Sequence, residues 1–263
     1  MTNFEKMFKF VNTLEKKPMK SNQEFKNQAL AALKGNWGKA VLVTLLFSLV
    51  ASLATGPATY QSFRLQSYLQ EQTGPYYSMT SVMSLASDPT YLGLMKSIYS
   101  TSGILSILQI LLLLPLSVGF ANAMKLLLSG NAELLDNTID IAFKKNYWRK
   151  VLAMLWMQIL VFLWSLLFVI PGIIKTFSYA MTPYILHDNP ELTPTEAIHR
   201  SRMMMRGHKF DYFWLLLSFI GWVVLCIFTA GIGFLWLVPY METSAAAFYE
   251  EVKADYAVNG GLD

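Results

Sequence analysis

Charge is scarce in this 263-residue chain, where charged residues make up only 14% against about 25% in an average soluble domain. So little charge cannot cover the surface of a soluble fold of this length. Cysteine is nearly absent: Cys226 stands alone inside an apolar run, which excludes a disulfide framework and a cysteine-based zinc site. Histidine is also rare. His187, His199 and His208 are the only three, and the nine-residue step from His199 to His208 is not a metal-ligand spacing on one helix face. No phosphate-cradling glycine loop and no Gly-x-Ser-x-Gly elbow occurs. The sequence therefore nominates no catalytic residue, metal ligand or cofactor, and a net charge of +4 is too small to signal nucleic acid.

What the chain has instead is apolar length. Hydrophobic residues are 54% of the total and mean hydropathy is +0.38. Three runs, Ala40–Tyr60, Gly103–Leu128 and Val151–Ile170, each reach the roughly 20 residues that a bilayer crossing needs. A fourth stretch, Phe210–Val252, is too long for one crossing and is interrupted at Thr229–Gly233, where two glycines permit a tight turn. It reads as a hairpin. Between these lies Gly172–His187, which Pro171 would start as a helix and which is long enough to cross a thinned region. The expectation is an all-α polytopic membrane protein with six crossings. No cleavable apolar core opens the chain, so an N-terminal arm over 1–20 should stay in the cytoplasm. A single membrane domain then covers 21–252, with a polar, tyrosine-rich extracytoplasmic loop at 61–101 and a cytoplasmic tail at 253–263.

Charge placement agrees with that count. With the N-terminus inside, 18 of the 21 Lys and Arg residues fall in segments on the cytoplasmic side, and only Arg64, Lys96 and Lys175 do not. Such a bias sets orientation, and a five-crossing arrangement would place one basic cluster outside. Both termini are thus expected in the cytoplasm, in the inner membrane.

Three stretches, Leu33–Leu42, Phe143–Leu152 and Met205–Trp214, resemble one another. Each follows an amphipathic segment, carries a basic elbow with an aromatic residue, and opens a span. Ser21–Glu24 and Thr193–Glu196 fit the capping box, the second with Pro194 at the favoured first position. Apolar stripes follow at helical spacing: Phe25, Ala29, Leu33 and Trp37 in one unit, and Leu135, Ile139 and Phe143 in another. Each return span carries an apolar-Pro pair (Leu114-Pro115, Ile170-Pro171, Val238-Pro239) followed by small residues suited to close helix contact in lipid. Three modules result, roughly 21–129, 131–188 and 193–252, each an inner-surface amphipathic helix and an out-and-back hairpin. Membrane constraint alone produces the same basic, aromatic elbow, so a true repeat and a shared interface both account for the likeness.

Ile170-Pro-Gly-Ile-Ile, Ala197-Ile-His-Arg-Ser201, Arg206-Gly-His208, Val238-Pro-Tyr240 and Phe248-Tyr-Glu250 together resemble a bacterial membrane family, domain of unknown function 975. The likeness covers most of the chain and is strongest from Pro171 to Glu251. It supports the topology and supplies no catalytic residue. More distantly, the pattern is similar to the membrane domain of some glycerophosphodiester phosphodiesterases, a resemblance that implies lipid association.

Two groups of residues invite a functional reading. Glu242 lies in a span, where an ionisable group is costly and should face the bundle interior. Lys175 and Gln158 are polar residues inside or bordering spans, and a Glu242–Lys175 pair is conceivable. Shallow placement or a neutral, hydrogen-bonded carboxyl is the ordinary alternative. Arg200, Arg202 and Arg206, on a helix expected over Pro194–Arg206, match anionic lipid headgroups through the guanidinium fork, and equally suit an ordinary positive-inside elbow. The favoured function is a non-catalytic module that binds or organises lipid or assists a partner membrane protein or a second copy of itself. Rival readings are a small-solute or ion transporter using Glu242 and an intramembrane enzyme.

Overall fold

The computed structural model describes residues 19–74 and 78–259, with backbone alone at 53–58, 101, 102 and 259. Most of the expected cytoplasmic arm and the end of the tail lie outside the described residues. Every element within them is helical. Helix α1 (Asn22–Leu33) begins with Ser21, whose hydroxyl accepts from Glu24 N while the Glu24 carboxylate accepts from Ser21 N. Phe25, Ala29 and Leu33 form its buried face. After Gly35, at φ +82°, the chain turns through 98° into α2 (Trp37–Thr73).

Helix α2 runs well beyond the apolar stretch, through residues expected in a loop, and stops at Gly74, also at φ +82°. A short helix α3 (Met79–Ser84) follows. Asp88 then starts α4 (Pro89–Leu128) by accepting from Thr90 N and Tyr91 N. The turn signals at Gly74 and Asp88-Pro89 thus bound helices, and the 61–101 segment is mostly helix.

The second unit opens with α5 (Leu134–Ile139), continued by a π-helical turn at Asp140–Lys144. Its buried face is Leu134, Thr138 and Ala142, not the expected Leu135, Ile139 and Phe143, of which Ile139 and Phe143 are exposed. Gly119 explains the correction. A Cβ there would collide with the Thr138 backbone oxygen and come within 3.1 Å of the Ala142 Cβ, so only small side chains tolerate the crossing. Gly119→Ala should cost about 1–3 kcal/mol by overpacking. A denaturation midpoint equal to wild type would show that the crossing has slack.

Asn146, at φ +52°, redirects the chain into α6 (Tyr147–Leu167). One extended residue, Phe168, separates α6 from α7 (Val169–Tyr179). The expected single segment Gly172–His187 is in fact two pieces, with α8 (Thr182–Asp188) following a break. Pro183 causes it, because it has no N–H to offer the Tyr179 carbonyl and its ring crowds the preceding turn. The break is stapled by Ser201, whose hydroxyl donates to Ser178 O (3.0 Å) and accepts from Met181 N (3.2 Å). Pro171 sits at the third position of α7, where the missing N–H would have had no intrahelical partner.

The third unit starts with α9 (Pro194–Met204), capped reciprocally by Thr193 and Glu196. It ends before Arg206, which stands in the turn leading to Gly207 at φ +87°, so the expected Pro194–Arg206 helix is shorter by two residues. Helices α10 (Lys209–Leu217) and α11 (Ile220–Phe228) follow. A turn at Thr229–Gly233 has Ala230 and Gly231 at positive φ, and α12 (Phe234–Asn259) closes the fold. Helix α2 packs along α4, α6 against α7, and α11 against α12, while α1 and α4 both pack on α12.

Among the described residues, three helical stretches are long and apolar enough to cross a membrane: Pro89–Leu128, Tyr147–Leu167 and Lys209–Phe228. A fourth counts if the bent pair of α1 and the start of α2 is one span. Large apolar side chains at the α6–α7 turn face outward, with Phe168 at 71% exposure, and Phe228 beside the last turn reaches 83%.

Basic residues of α1 and of the first two elbows have a structural duty that composition did not disclose: they donate to main-chain carbonyls. Lys26 Nζ donates to Ser218 O (2.8 Å) at the α10–α11 break and lies 4.3 Å from the Phe219 ring centroid. Lys39 reaches Ala132 O. Lys150 holds Ile141 O and Lys145 O as the π-helical turn ends. Arg149 donates to three carbonyls in the last turn of α8 and the turn after it: Leu186 O (3.2 Å), Asn189 O (2.6 Å) and Leu192 O (2.5 Å).

Candidate functional site

Helices α4, α6, α7, α8, α10 and α12 line a partly open cavity of about 620 Å³. Its wall is chiefly apolar, with Met154, Met157, Val161 and Phe162 from α6 and Phe177 and Ala180 from α7 among its members. From Met154 to Ser165 the lining runs along about 16 Å of α6 at the helical rise. Glu242 of α12 lines the cavity, as does Gln158 of α6. Tyr184 and Tyr212 also line it and stand close enough to feel the Glu242 charge. No hydrogen bond or ion pair joins Glu242 to another described residue, whereas its neighbours Thr243 and Ser244 bond back to Pro239 O and Tyr240 O. A carboxyl among apolar walls keeps its unmet hydrogen-bonding capacity for whatever enters.

Lys175 does not join this group. Its Nζ lies 4.4 Å from the Trp164 ring centroid and 5.9 Å from that of Tyr179, and the charges it feels are Arg202 and Lys209. The conceivable Glu242–Lys175 pair is therefore not formed. Thr176 and Ala180, one turn apart, present the cavity face of α7, and Lys175 stands at its edge.

A second polar centre lies where α8 ends. Asp188 accepts from Lys125 of α4, from Lys253 Nζ (2.5 Å) and from Tyr249 Oη (2.9 Å), with His187 Nδ1 at 3.4 Å. Burial alone would push the Asp188 carboxyl up. The hydrogen bonds from His187, Lys125 and Lys253, with the Lys125 charge, outweigh it and hold the group well below the usual carboxylate range. Tyr249 links the two centres, since its ring stacks on Tyr184 at 4.7 Å between centroids. One turn before Lys125, Asn122 is wholly buried and donates to Pro183 O (2.9 Å), which fixes α8 against α4.

Arg200 faces a smaller cavity of about 370 Å³ that also holds Asp188, Tyr249 and Lys253, and it donates to Asn189 Oδ1 (3.0 Å). Arg202 and Arg206 are exposed outside it. The three arginines read together from the sequence thus separate, one into a packed polar centre and two onto the surface. Of the histidines, His208 is buried with Nε2 3.0 Å from Asp255 Oδ2 and Nδ1 3.5 Å from Asp211 Oδ2. Among the described residues, no three or more His, Cys, Asp or Glu side chains converge as a metal site would require.

Sequence reasoning found Glu242 and Gln158 but missed Asp188, Lys125, Tyr249 and Lys253. The i,i+4 pair Tyr249/Lys253 was a usable signal, because it puts a phenol and a cation on one helix face. Asp188 carried none, since Asp-Asn-Pro reads as an ordinary turn.

No match was found among curated proteins or among solved structures. The more distant likeness to the phosphodiesterase membrane domain is not shown. The model of one family, described as a protein of unknown function (DUF975), matches residues 19–256, so the match takes in both polar centres and every described α-helix but the last residues of α12, and the chain belongs to that family.

Proposed function

We propose that this protein is a multi-pass module of the cytoplasmic membrane that binds lipid without catalysis, with six crossings in three hairpins and both termini in the cytoplasm. The observation that carries the reading is the 620 Å³ cavity, a space with apolar walls long enough for an acyl chain and a polar group near one end. The α2–α4, α6–α7 and α11–α12 contacts support the hairpins, each following an amphipathic helix (α1, α5 or α9). In the second hairpin α7 and α8 have a combined helical length of about 27 Å at the helical rise, bent at the Pro183 break. The outward Phe168 and Phe228 suit a lipid environment, because so much apolar surface is costly in water. Arg202 and Arg206, exposed on the side with most Lys and Arg, are placed to meet anionic headgroups.

Native mass spectrometry of the purified protein tests the lipid reading. Wild type should retain lipid adducts, and Gln158→Trp, which fills the cavity from α6, should shed them. Identical adducts on both proteins would remove the cavity from the account. Topology is tested by impermeant thiol labelling of intact cells in a Cys226→Ser background. Ser81→Cys should label while Asn146→Cys and Asn259→Cys should not, and the reverse pattern overturns the orientation.

Glu242, without a cation partner in its cavity, also favours a second reading, in which the cavity is part of a path for a small solute or ion. Flux into liposomes that is lost in Glu242→Gln supports that reading, and absence of flux for the wild type removes it.

A further inference from the structure

Among the described residues, Glu242 is the only acid lining the 620 Å³ cavity, and no basic residue lines it. The nearby cations are engaged elsewhere: Lys175 lies over Trp164, and Lys125 is bound to Asp188. A lone carboxylate in a low-dielectric space is unfavourable unless something supplies a donor or a positive charge. Tyr184 and Tyr212 stand close enough to feel its charge, the Phe177 ring lines the same cavity and meets Tyr212 edge-on, and aromatic faces attract cations. Like charge disfavours an anionic headgroup at this end. The far part of the cavity, by Val161, Phe162 and Ser165, is chiefly apolar, and the Ser165 hydroxyl there is already donated to Val161 O (2.9 Å).

We propose that the cavity seats a single-chain amphiphile bearing a protonated amine, with its ammonium on the Glu242 carboxylate and its chain along the Met154–Ser165 face of α6. This rests on the reading that the cavity takes lipid, and it adds the class of headgroup. Polarity is thereby fixed, with the head toward α8 and α12 and the tail toward the α6–α7 turn. The aromatic rings hold the ammonium from the side, and Gln158 offers an amide to a second polar atom of the head.

Four probes in phosphatidylcholine nanodiscs, read by thermal shift, test it: dodecylamine, dodecanol, dodecanoate and ethylamine. Dodecylamine should bind wild type at least about tenfold more tightly than dodecanol, since a desolvated charge pair contributes more than the roughly 1.4 kcal/mol that a factor of ten represents. Dodecanoate and ethylamine should be weakest. Glu242→Gln should bring dodecylamine down to the dodecanol level and leave dodecanol unchanged, which also shows that the variant is folded. Gln158→Trp should weaken both long-chain probes. If dodecylamine and dodecanol bind wild type alike, or if dodecylamine binds Glu242→Gln as tightly as wild type, the amine assignment falls. Loss of both probes in Gln158→Trp would then still leave the lipid cavity standing. Ethylamine binding as tightly as dodecylamine overturns the amphiphile, and failure of every probe to bind wild type overturns both the amine and the cavity.

Discussion

Asp188→Asn should lower stability by about 3–5 kcal/mol, the cost of removing one partner from a buried ion pair and leaving the other buried alone. The stranded group is Lys125, whose side chain is only 8% exposed. Lys253, at 46% exposure, returns to water and should matter little. Tyr249 loses an acceptor as well, so the α4, α8 and α12 junction loosens at one point from three sides. Lys125→Met in the Asp188→Asn background should recover much of the loss, because it removes the unpaired charge. Thermal unfolding in nanodiscs measures both. An Asp188→Asn midpoint equal to wild type would mean that the lysine escapes to solvent and the cluster contributes nothing. The pH dependence has a definite sign. A carboxyl held below its ordinary value stabilises the fold fully above that value and loses this contribution as pH falls through its folded-state value. Wild-type stability should therefore owe no change to Asp188 between pH 7 and 5. Its part of the acid loss begins below the ordinary value of 3.8, and the Asn variant should lack that part.

Arg149→Met is expected to cost about 3 kcal/mol or more. Three carbonyls in the last turn of α8 and the turn that follows it receive one guanidinium, and hydrogen bonds to a charged group contribute roughly 1.5–3 kcal/mol each, without simple additivity. Arg149→Lys separates this role from topology. Lysine keeps the charge that orients the chain but lacks the planar fork that spans several acceptors, so it should keep the labelling pattern and recover only part of the stability. Proteolysis in the 186–192 turn should rise in both variants. Full recovery by lysine would reduce Arg149 to a topological charge.

These two residues show where the sequence was legible and where it was not. Arg149 was visible as a basic residue near the start of an apolar helix, a description that leaves out what it holds. Its acceptors are main-chain oxygens, which every residue carries, so no side-chain pattern marks them. Asp188 and its partners are separated by 63 residues to Lys125 and 65 to Lys253. Their meeting depends on where α8 lies, and that in turn depends on the break at Pro183 and on Asn122 holding α8 to α4. Gly119 has the same lesson for α5. Periodicity located an amphipathic segment, but the close crossing chose Leu134, Thr138 and Ala142 for the buried face because larger side chains would collide.

By itself the sequence determined the all-helical class, the apolar character of the long helices, the capping boxes at Ser21 and Thr193 and the turn at Thr229–Gly233. Each depends on neighbours within a few positions, or on composition summed over a segment. It also singled out Glu242, because an acid within an apolar run is conspicuous wherever the helix packs. Only the tertiary structure decided that Gln158 shares the cavity of Glu242 while Lys175 turns to Trp164. It alone separated Arg200 from Arg202 and Arg206, and gathered four donors around Asp188. Those outcomes depend on helix ends, crossing points and rotations, which arise when the helices pack and are not encoded by spacing along any one of them.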